Sequence, residues 1–232
     1  MEIANSLVEG LEFYKGPLHS FPIPDAEFVI EGYINKEEKE SDCMVEMLGS
    51  YDHTREQPVI EFEEIYSKKD PIYWDVLPGG IEHKWLMGFP VEAKLNKEVK
   101  SAVPSVKKVY LTEGGSKWLH AVIQINKKLE GEPVNAIIAA FAAHPSLKLA
   151  IVVDDDIDPK NPVAVERALA TRFQASRGLL LIKNAKGSSL DPSSNQELLL
   201  TDKLGIDATI PLRENKDRFK EAVIPGDAKN EI

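Results

Sequence analysis

Three consecutive carboxylates, at positions 154–156, directly follow the apolar run 147–153, which is typical of a buried strand. Carboxylate oxygens bind hard cations such as Mg²⁺. They also accept hydrogen bonds from the free backbone N–H groups at the start of a helix. The sequence favours the second role, because a helical pattern begins shortly afterwards with Asp158 or Asn161 as its N-cap.

The other chemically versatile side chains are isolated along the sequence. Histidines occur singly, at positions 19, 53, 83, 120 and 144, and His120 lies in an apolar segment where a hydrogen-bonded structural histidine is commoner than a ligand. The single cysteine, Cys43, excludes an intramolecular disulfide and a Cys-based metal cluster built from this chain alone. Motifs of the GxGxxG, P-loop, HExxH and GxSxG types are absent. No single residue or short motif therefore identifies the reaction that the protein catalyses.

The formal charge is -10, and residues 27–64 carry most of it, with 12 Asp and Glu against 3 Lys and Arg. Nucleic-acid binding needs a basic surface, so this charge argues against a nucleic-acid partner. The acidic segment is interpreted either as a solvated surface or as a carboxylate cluster that faces a cation or an Arg-bearing partner. No apolar run approaches the ~20 residues of a membrane span, and no signal peptide is recognised, which predicts a cytoplasmic protein.

The elements that must position these side chains fall into two patterns. Before about residue 90, segments rich in β-branched and aromatic residues alternate with Gly and Pro, which predicts an antiparallel sheet or part of a barrel. The predicted strands are 11–14, 27–34, 58–66 and 71–77. The first predicted domain is 1–89.

After residue 90 the pattern becomes α/β, which predicts a domain over 90–212 and a docking tail over 213–232 with a charged helical stretch at 213–222. Helices are predicted at 91–102, 134–143 and 164–173, and strands at 106–111, 119–125, 147–153 and 178–182. The last two strands are predicted to be adjacent and parallel, because a single helix between them forms a right-handed crossover.

Six segments resemble, in order, the carboxyl-terminal half of the UbiD family (3-octaprenyl-4-hydroxybenzoate carboxy-lyases), decarboxylases that use prenylated FMN. The segments are PDAEFVIEG (24–32), EHKWLMG (82–88), LTEGG (111–115), IVVDDDID (151–158) continuing at ALATR (168–172), GSSLDP (187–192) and KLGIDAT (203–209). The chain looks most similar to the archaeal branch of the family.

The resemblance implies an α/β protein, α+β overall, in which a partial flavin-binding split β-barrel precedes a three-layer α/β domain. It implies prenylated FMN with a divalent metal, Mn²⁺ or Mg²⁺, and K⁺ in the complete enzyme, and an unsaturated or aromatic carboxylic acid as substrate. Glu12 corresponds to the family's Glu ligand of the metal that binds the flavin phosphate. The family's Asn and His ligands lie upstream of the predicted strand that contains Glu12. Tight flavin binding is therefore not expected of this chain alone.

The resemblance also places the family's catalytic motif, Glu-Gly-Pro-Phe-X-Asp/Glu, on residues 41–46. Glu46 retains the second acid, which is the family's proton donor, whereas Ser41 replaces the first. Glu40 and Asp42 are candidates to substitute for that first acid. The alternative for Glu46 is a solvated acid within the acidic segment.

Glu82, His83 and Lys84 follow a Gly-Gly turn at the predicted domain junction. They are expected to line the cleft that holds cofactor and substrate.

Three interpretations of the chain as a whole remain open. It is a subunit of a split decarboxylase whose amino-terminal half is a separate polypeptide, a non-catalytic scaffold or assembly subunit, or a truncated gene product. The first is favoured, because the sequence starts just ahead of a predicted strand. A homo-oligomer or a complex with an amino-terminal UbiD-like subunit is expected, because a partial barrel leaves apolar surface to be covered.

Overall fold

The computed structural model describes Ser6 and residues 12–222. The chain divides into two compact units. The first includes the chain up to Glu46 and Ser50–Pro78, and the second includes Met47–Gly49 and the chain from Gly79 onward. Helices and strands occur together, which confirms the mixed α/β class. In the described residues no helix is both long and apolar enough to cross a membrane.

The first unit contains two antiparallel two-stranded sheets. Strand β1 (Phe13–Lys15) pairs with β2 (Pro22–Pro24), and β3 (Phe28–Asp42) pairs with β4 (Arg55–Ser67). Their antiparallel pairing agrees with the sequence pattern, and their place in a split barrel stays a prediction.

The predicted strand over 71–77 is wrong. This segment has no regular structure, and Tyr73 and Trp74 are 75% and 72% exposed. β-Branched and aromatic residues favour a strand only where a neighbouring strand completes the hydrogen-bond ladder, so composition alone misled the prediction here.

One face of the β3–β4 hairpin is apolar and bare. Ile30 pairs with Ile65 and Ile34 with Ile60, and the exposed fractions of these four residues lie between 53% and 60%. Phe62, which is opposite Gly32, is 59% exposed on the same face. We call these five side chains the apolar hairpin face. Because an isolated two-stranded sheet is marginally stable in water, this face is suited to packing against a further surface.

The second unit is built on a five-stranded sheet with the strand order β5-β6-β7-β9-β8. Its strands are β5 (Val106–Leu111), β6 (His120–Ile125), β7 (Leu149–Asp154), β8 (Leu179–Lys186) and β9 (Leu200–Asp207). The central strands β6, β7 and β9 are parallel, whereas β5 and β8 run antiparallel at the two edges.

The predicted adjacency of the strands over 147–153 and 178–182 is wrong, because β9 lies between β7 and β8. Leu179 pairs with Ile206, so β8 starts at the edge where β9 ends and runs antiparallel to it. The sequence of β9 is too polar to read as a central strand. Its Lys203 is nevertheless buried, and the Lys203 ammonium donates to the carbonyls of Pro145 and Leu147 at 2.5 and 2.6 Å.

The helices of the second unit are α1 (Ile81–Ala102), α2 (Glu132–Ala143), α3 (Pro162–Arg172) and the short α4 (Ala175–Gly178). Helix α1 starts ten residues before the predicted position 91, because Gly88 and Pro90 interrupt its sequence pattern without ending the helix. Gly88 faces Lys117 so closely that an added Cβ would lie 2.4 Å from the Lys117 Cβ.

The charged stretch predicted to be helical over 213–222 contains only a 3₁₀ turn, Lys216–Phe219. Most of its side chains are exposed and Phe219 is only half-buried, so no continuous buried face extends the turn into a helix.

Two apolar clusters confirm the expected three layers of the second unit. On one face of the sheet, α1 and α2 pack through residues such as Leu95 and Ile137 against Ile123 and Val152. On the other face, α3 packs through Val165 and Ala168 against Val122, Ile151 and Val153. All helical residues of this second cluster belong to α3. The position of α3 therefore determines the shape of this face of the second unit.

We expect Asn161→Ala to lower the free energy of unfolding by about 1 kcal/mol. The Asn161 side chain is the N-cap of α3, where its oxygen accepts the N–H groups of Val163 and Ala164 at 3.1 and 3.2 Å. Urea unfolding measures the loss, and Asn161→Ser should retain most of the stability because serine also caps. Equal urea midpoints for the Asn161→Ala and Asn161→Ser variants would contradict the capping role.

Candidate functional site

Glu46 lies in the connection between β3 and β4 and is half-buried. Its backbone N–H donates to the Ser50 carbonyl at 2.9 Å, and a bridge between Val45 and Tyr51 closes the same turn. Within the described part of the chain, no hydrogen bond or ion pair holds the Glu46 carboxylate. The backbone of this residue is fixed while its carboxylate remains free to bind another group.

The register of β3 and β4 brings an unexpected acid to the motif position of Ser41. Ser41 pairs with Glu56, and its hydroxyl donates a hydrogen bond to the Glu56 carboxylate. Side chains alternate along a strand, so Glu40 and Asp42 point to the opposite face of β3 from Ser41. Neither of them therefore occupies the place of Ser41.

Arg55 is a second residue that the sequence reasoning missed. It pairs with Asp42 across the hairpin, and its guanidinium contacts Asp52 at 2.9 Å. Residues 55 and 56 are more than ten positions from Ser41 in sequence. Only the hairpin register makes them neighbours, and the turn residues over 43–54 were the one local signal that a hairpin closes there.

Glu12 is exposed and accepts a hydrogen bond from the Tyr14 hydroxyl at 2.9 Å, which raises the pKa of Tyr14. Among Ser6 and residues 12–222, no three His, Cys, Asp or Glu residues are grouped to hold a metal ion. A flavin phosphate held through a divalent cation needs several oxygen or nitrogen ligands. One carboxylate does not fit that requirement, so the described residues do not form this cofactor site by themselves.

Glu82, His83 and Lys84 occupy the first turn of α1. His83 Nδ1 accepts the Gly79 N–H at 3.2 Å, so this ring holds the turn that precedes the helix. Consecutive helical residues are rotated by about 100° from one another. The three side chains therefore point in different directions around the helix, and their place at the cofactor and substrate cleft stays a prediction.

Asp154 and Asp156 at the end of β7 form ion pairs with Arg172, the last residue of α3. The guanidinium contacts Asp154 at 2.8 Å and Asp156 at 2.7 Å, and Asp154 also accepts the Ile210 N–H at 2.9 Å. Burial raises the pKa of Asp154, whereas the hydrogen bond from Arg172 lowers the pKa of Asp156. The expected role of these acids as helix caps is wrong, because Asn161 caps α3 and the acids fix its other end.

A cavity of about 350 Å³ lies between α3 and the sheet in the second unit. We call it the α3 cavity, and its lining includes Thr112, His120, Val122, Ile151, Val165 and Leu169.

His120 only partly fits the expectation of a satisfied structural histidine. Its Nδ1 lies 3.0 Å from the Thr112 hydroxyl, but the buried Nε2 has no hydrogen-bond partner among the described residues. Burial lowers the pKa of His120 to about 4, so the ring is neutral at pH 7.

Two family models together cover nearly the whole chain. Residues 1–81 match the 3-octaprenyl-4-hydroxybenzoate carboxy-lyase Rift-related domain, and residues 84–208 match the C-terminal domain of the same carboxy-lyase. The chain belongs to the UbiD family. The resemblance inferred from the six sequence segments is thereby confirmed.

Similar UbiD-family proteins include the anhydromevalonate phosphate decarboxylase of Methanocaldococcus jannaschii, which is 52% identical over 203 residues, or 88% of this chain and 48% of that protein. The UbiD-class enzyme HmfF from Pelotomaculum thermopropionicum, solved in complex with FMN, matches with a TM-score of 0.85 and 42% identity over 97% of this chain and 51% of HmfF. An evolved dimeric form of HmfF in complex with prFMN gives a TM-score of 0.77 and 38% identity over 97% and 49%. This chain therefore spans about half the length of these relatives.

Replacing Arg172 with Gln is expected to destabilise the second unit by about 3–5 kcal/mol at pH 7, because Asp154 is left buried and charged without its cation. Burial raises the pKa of Asp154 above its unfolded value, so acidification neutralises this carboxylate in the folded state first. The depressed pKa of Asp156 contributes stability to the unmodified chain that is lost on acidification. Both effects reduce the difference in the free energy of unfolding between the unmodified chain and Arg172→Gln as the pH falls. We call this difference the deficit.

Urea unfolding between pH 7 and pH 4 measures this deficit. Arg167→Gln, an exposed position on the same helix, is the matched control and should change stability little. A deficit for Arg172→Gln that is the same at every pH would contradict the role of Asp154.

Proposed function

We propose that this chain is part of a UbiD-type decarboxylase that acts on an unsaturated or aromatic carboxylic acid with prenylated FMN. The observation that carries the proposal is the 52% identity, over 88% of the chain, with an anhydromevalonate phosphate decarboxylase. That relative is about twice as long, since the match covers 48% of it. The complete site in this proposal therefore includes residues equivalent to the half that this chain does not match, supplied by an amino-terminal UbiD-like subunit.

Glu46 is the proton-transfer acid in this proposal. Loss of CO₂ leaves a carbon that must take up a proton, and a carboxyl group can deliver one if it can reach that carbon. The unpartnered carboxylate and the hydrogen-bonded backbone of Glu46 support this assignment.

Glu56 takes the place of the acid that Ser41 replaces. The hydrogen bond from the Ser41 hydroxyl holds the Glu56 carboxylate beside the motif position, one strand away. The proposal thus retains two carboxylates near the hairpin end, although the sequence motif retains one.

The cofactor set of the proposal is prenylated FMN with Mn²⁺ or Mg²⁺ and K⁺. Complexes of HmfF with FMN and with prFMN support the flavin. Glu12 is this chain's metal ligand, and the other ligands come from the complementary half. The flavin therefore binds to the assembled protein rather than to this chain alone.

The apolar hairpin face is the surface that the complementary half covers. Its five side chains are each more than half exposed, and they lie on the unit that contains Glu12 and Glu46.

The alternative, a UbiD-like scaffold without catalysis, is suggested by Ser41 and by the lost Gly-Pro turn in residues 41–46.

The catalytic roles are tested by co-expressing the chain with the unmatched half of the M. jannaschii relative in cells that make prenylated FMN. Glu12→Gln should lose metal and flavin together, because an amide offers no negative charge to a divalent cation. Glu46→Gln should keep the flavin and lower CO₂ release from anhydromevalonate phosphate by about 10²- to 10⁴-fold. Glu56→Gln should also keep the flavin while reducing turnover.

Glu64→Gln, an exposed acid on the same strand as Glu56, is the control and should leave turnover unchanged. Full activity of Glu46→Gln would remove that residue from the mechanism. A stable complex in which the unmodified chain has no activity favours the scaffold.

The apolar hairpin face is tested by the double substitution Ile34→Asp and Ile60→Asp. Two buried carboxylates in a contact surface should weaken association with the complementary half by at least tenfold, measured by sedimentation velocity. Lys36→Asp and Lys39→Asp, at two exposed positions of β3 outside the apolar hairpin face, form the control. Unchanged association of the isoleucine variant would show that the partner binds elsewhere.

A further inference from the structure

We infer that a polar cavity of the second unit, located where β8 ends and β9 begins, binds a small uncharged polyhydroxylated molecule such as a cyclic polyol or a monosaccharide. Its volume is about 490 Å³, within the range of about 300–1,000 Å³ that is usual for small-molecule sites. We call it the β8–β9 cavity, and its lining includes Lys148, Asn184, Ser193, Asn195, Leu198 and Asp202. All of its lining residues belong to the second unit, and none has a role in the proposed decarboxylase reaction.

A buried carboxylate, Asp191, holds one wall of this cavity in place. Asp191 is 3% exposed, and it accepts the Lys148 ammonium at 2.7 Å and the Ser193 N–H and hydroxyl at 3.0 and 2.9 Å. The Lys148 ammonium also donates to the Ser193 hydroxyl, so it uses two of its three N–H groups and retains one. The Lys148 side chain is 33% exposed and Ser193 is exposed, so this wall is fixed but remains open to solutes.

Asn195 and Asp202 are each anchored by one oxygen, and each has a second polar atom that is unused. Asn195 Oδ1 accepts the N–H groups of Glu197 and Leu198 at 3.1 and 2.8 Å, so its NH₂ group has no partner among the described residues. Asp202 Oδ1 accepts the Asn184 N–H at 3.0 Å, and Oδ2 has no partner in the same part of the chain. Both residues are exposed, so a dissolved molecule can reach them.

Asn184 brings a second side-chain amide to the cavity through an irregularity of β8. The register of β8 with β9 shifts between Ile182 and Ala185, and Asn184 has a φ of 52°. Asparagine tolerates this left-handed conformation better than most residues, and a bulge redirects the side chain at its position. The Asn184 amide is on an exposed residue and has no hydrogen-bond partner among the described residues. It can therefore donate and accept.

The mixture of free groups favours hydroxyl groups over a charged ligand. Lys148 and Asn195 supply donors, whereas Asp202 supplies an acceptor. Because a hydroxyl group both donates and accepts, neighbouring hydroxyls of one molecule can satisfy both kinds of group. Asp191 already neutralises Lys148, so Asp202 leaves a net negative charge that repels an anion. A cation would meet the Lys148 ammonium and the amide donors, so an uncharged molecule fits best.

Two leucines give the cavity an apolar part. Leu198 and Leu200 belong to the lining, and Leu198 is 66% exposed. The ring of a cyclic polyol carries C–H groups as well as hydroxyls, so it can cover this apolar surface while its hydroxyls bind the polar groups. A single small ion cannot do both.

The test compares three probes with the same six-membered carbon ring on the full chain. Myo-inositol carries a hydroxyl on every ring carbon, cyclohexanol carries a single hydroxyl, and myo-inositol 1-phosphate is the anion. Binding is followed by the side-chain ¹H–¹⁵N resonances of Asn184 and Asn195. Myo-inositol should shift both resonances saturably and bind at least tenfold more tightly than cyclohexanol, because it forms several hydrogen bonds where cyclohexanol forms one. The phosphate should bind more weakly than myo-inositol.

Two substitutions assign this affinity to the asparagine side chains. Asn184→Gly removes one amide, and glycine adopts the left-handed backbone without strain. Asn195→Ser removes the other NH₂ group and keeps an oxygen that can accept the loop N–H groups. Each should weaken myo-inositol binding about tenfold, with the remaining asparagine as reporter. Asn215→Ser is the matched control, because exposed Asn215 also accepts a backbone N–H, that of Asp217 at 2.9 Å, and it should leave binding unchanged.

Four results would overturn the inference. Equal affinity for myo-inositol and cyclohexanol would show that the polar groups select nothing. Tighter binding of the phosphate would identify an anion site instead. Unchanged myo-inositol binding in both asparagine variants would place the ligand elsewhere, and no saturable shift with any probe would show a cavity that holds water only.

Discussion

A negative charge buried at the end of the central strand β7 constrains much of the second unit. Asp154 needs a cation and a donor there, and it obtains them from Arg172 at the end of α3 and from the Ile210 N–H. Three segments that are far apart in sequence are thereby tied to one carboxylate. Because a buried charge without partners is strongly unfavourable, the position of α3 on the sheet is set by this contact as well as by apolar packing.

The same contact determines the shape of the α3 cavity. With Arg172 anchored, α3 presents Val165 to the sheet face that carries Val122 and Ile151. The space left between them is lined by His120, whose Nε2 has no hydrogen-bond partner among the described residues. A structural ion pair at one end of the helix thus helps to position the α3 residues that line this cavity.

The first unit is organised in another way. It contains Glu12 just before β1 and the motif region 41–46 at the end of β3, and its long hairpin leaves an apolar face exposed. Such a face gains stability when another surface covers it. The proposed catalytic residues therefore lie on the part of the molecule that has most to gain from a partner, which fits a site completed by a complementary half.

The sequence by itself determined the α/β class, most strand and helix positions in the second unit, Asn161 as one of two possible caps, and the UbiD family, because residue spacing, propensities and capping act over a few neighbouring positions. The tertiary structure decided that β9 separates β7 from β8, that Glu56 lies beside Ser41, that Arg172 neutralises Asp154, and that His120 Nε2 has no hydrogen-bond partner among the described residues. Each of these depends on strand register or on packing between distant segments. Such contacts are selected by the burial and pairing of the whole fold, and no local pattern encodes them.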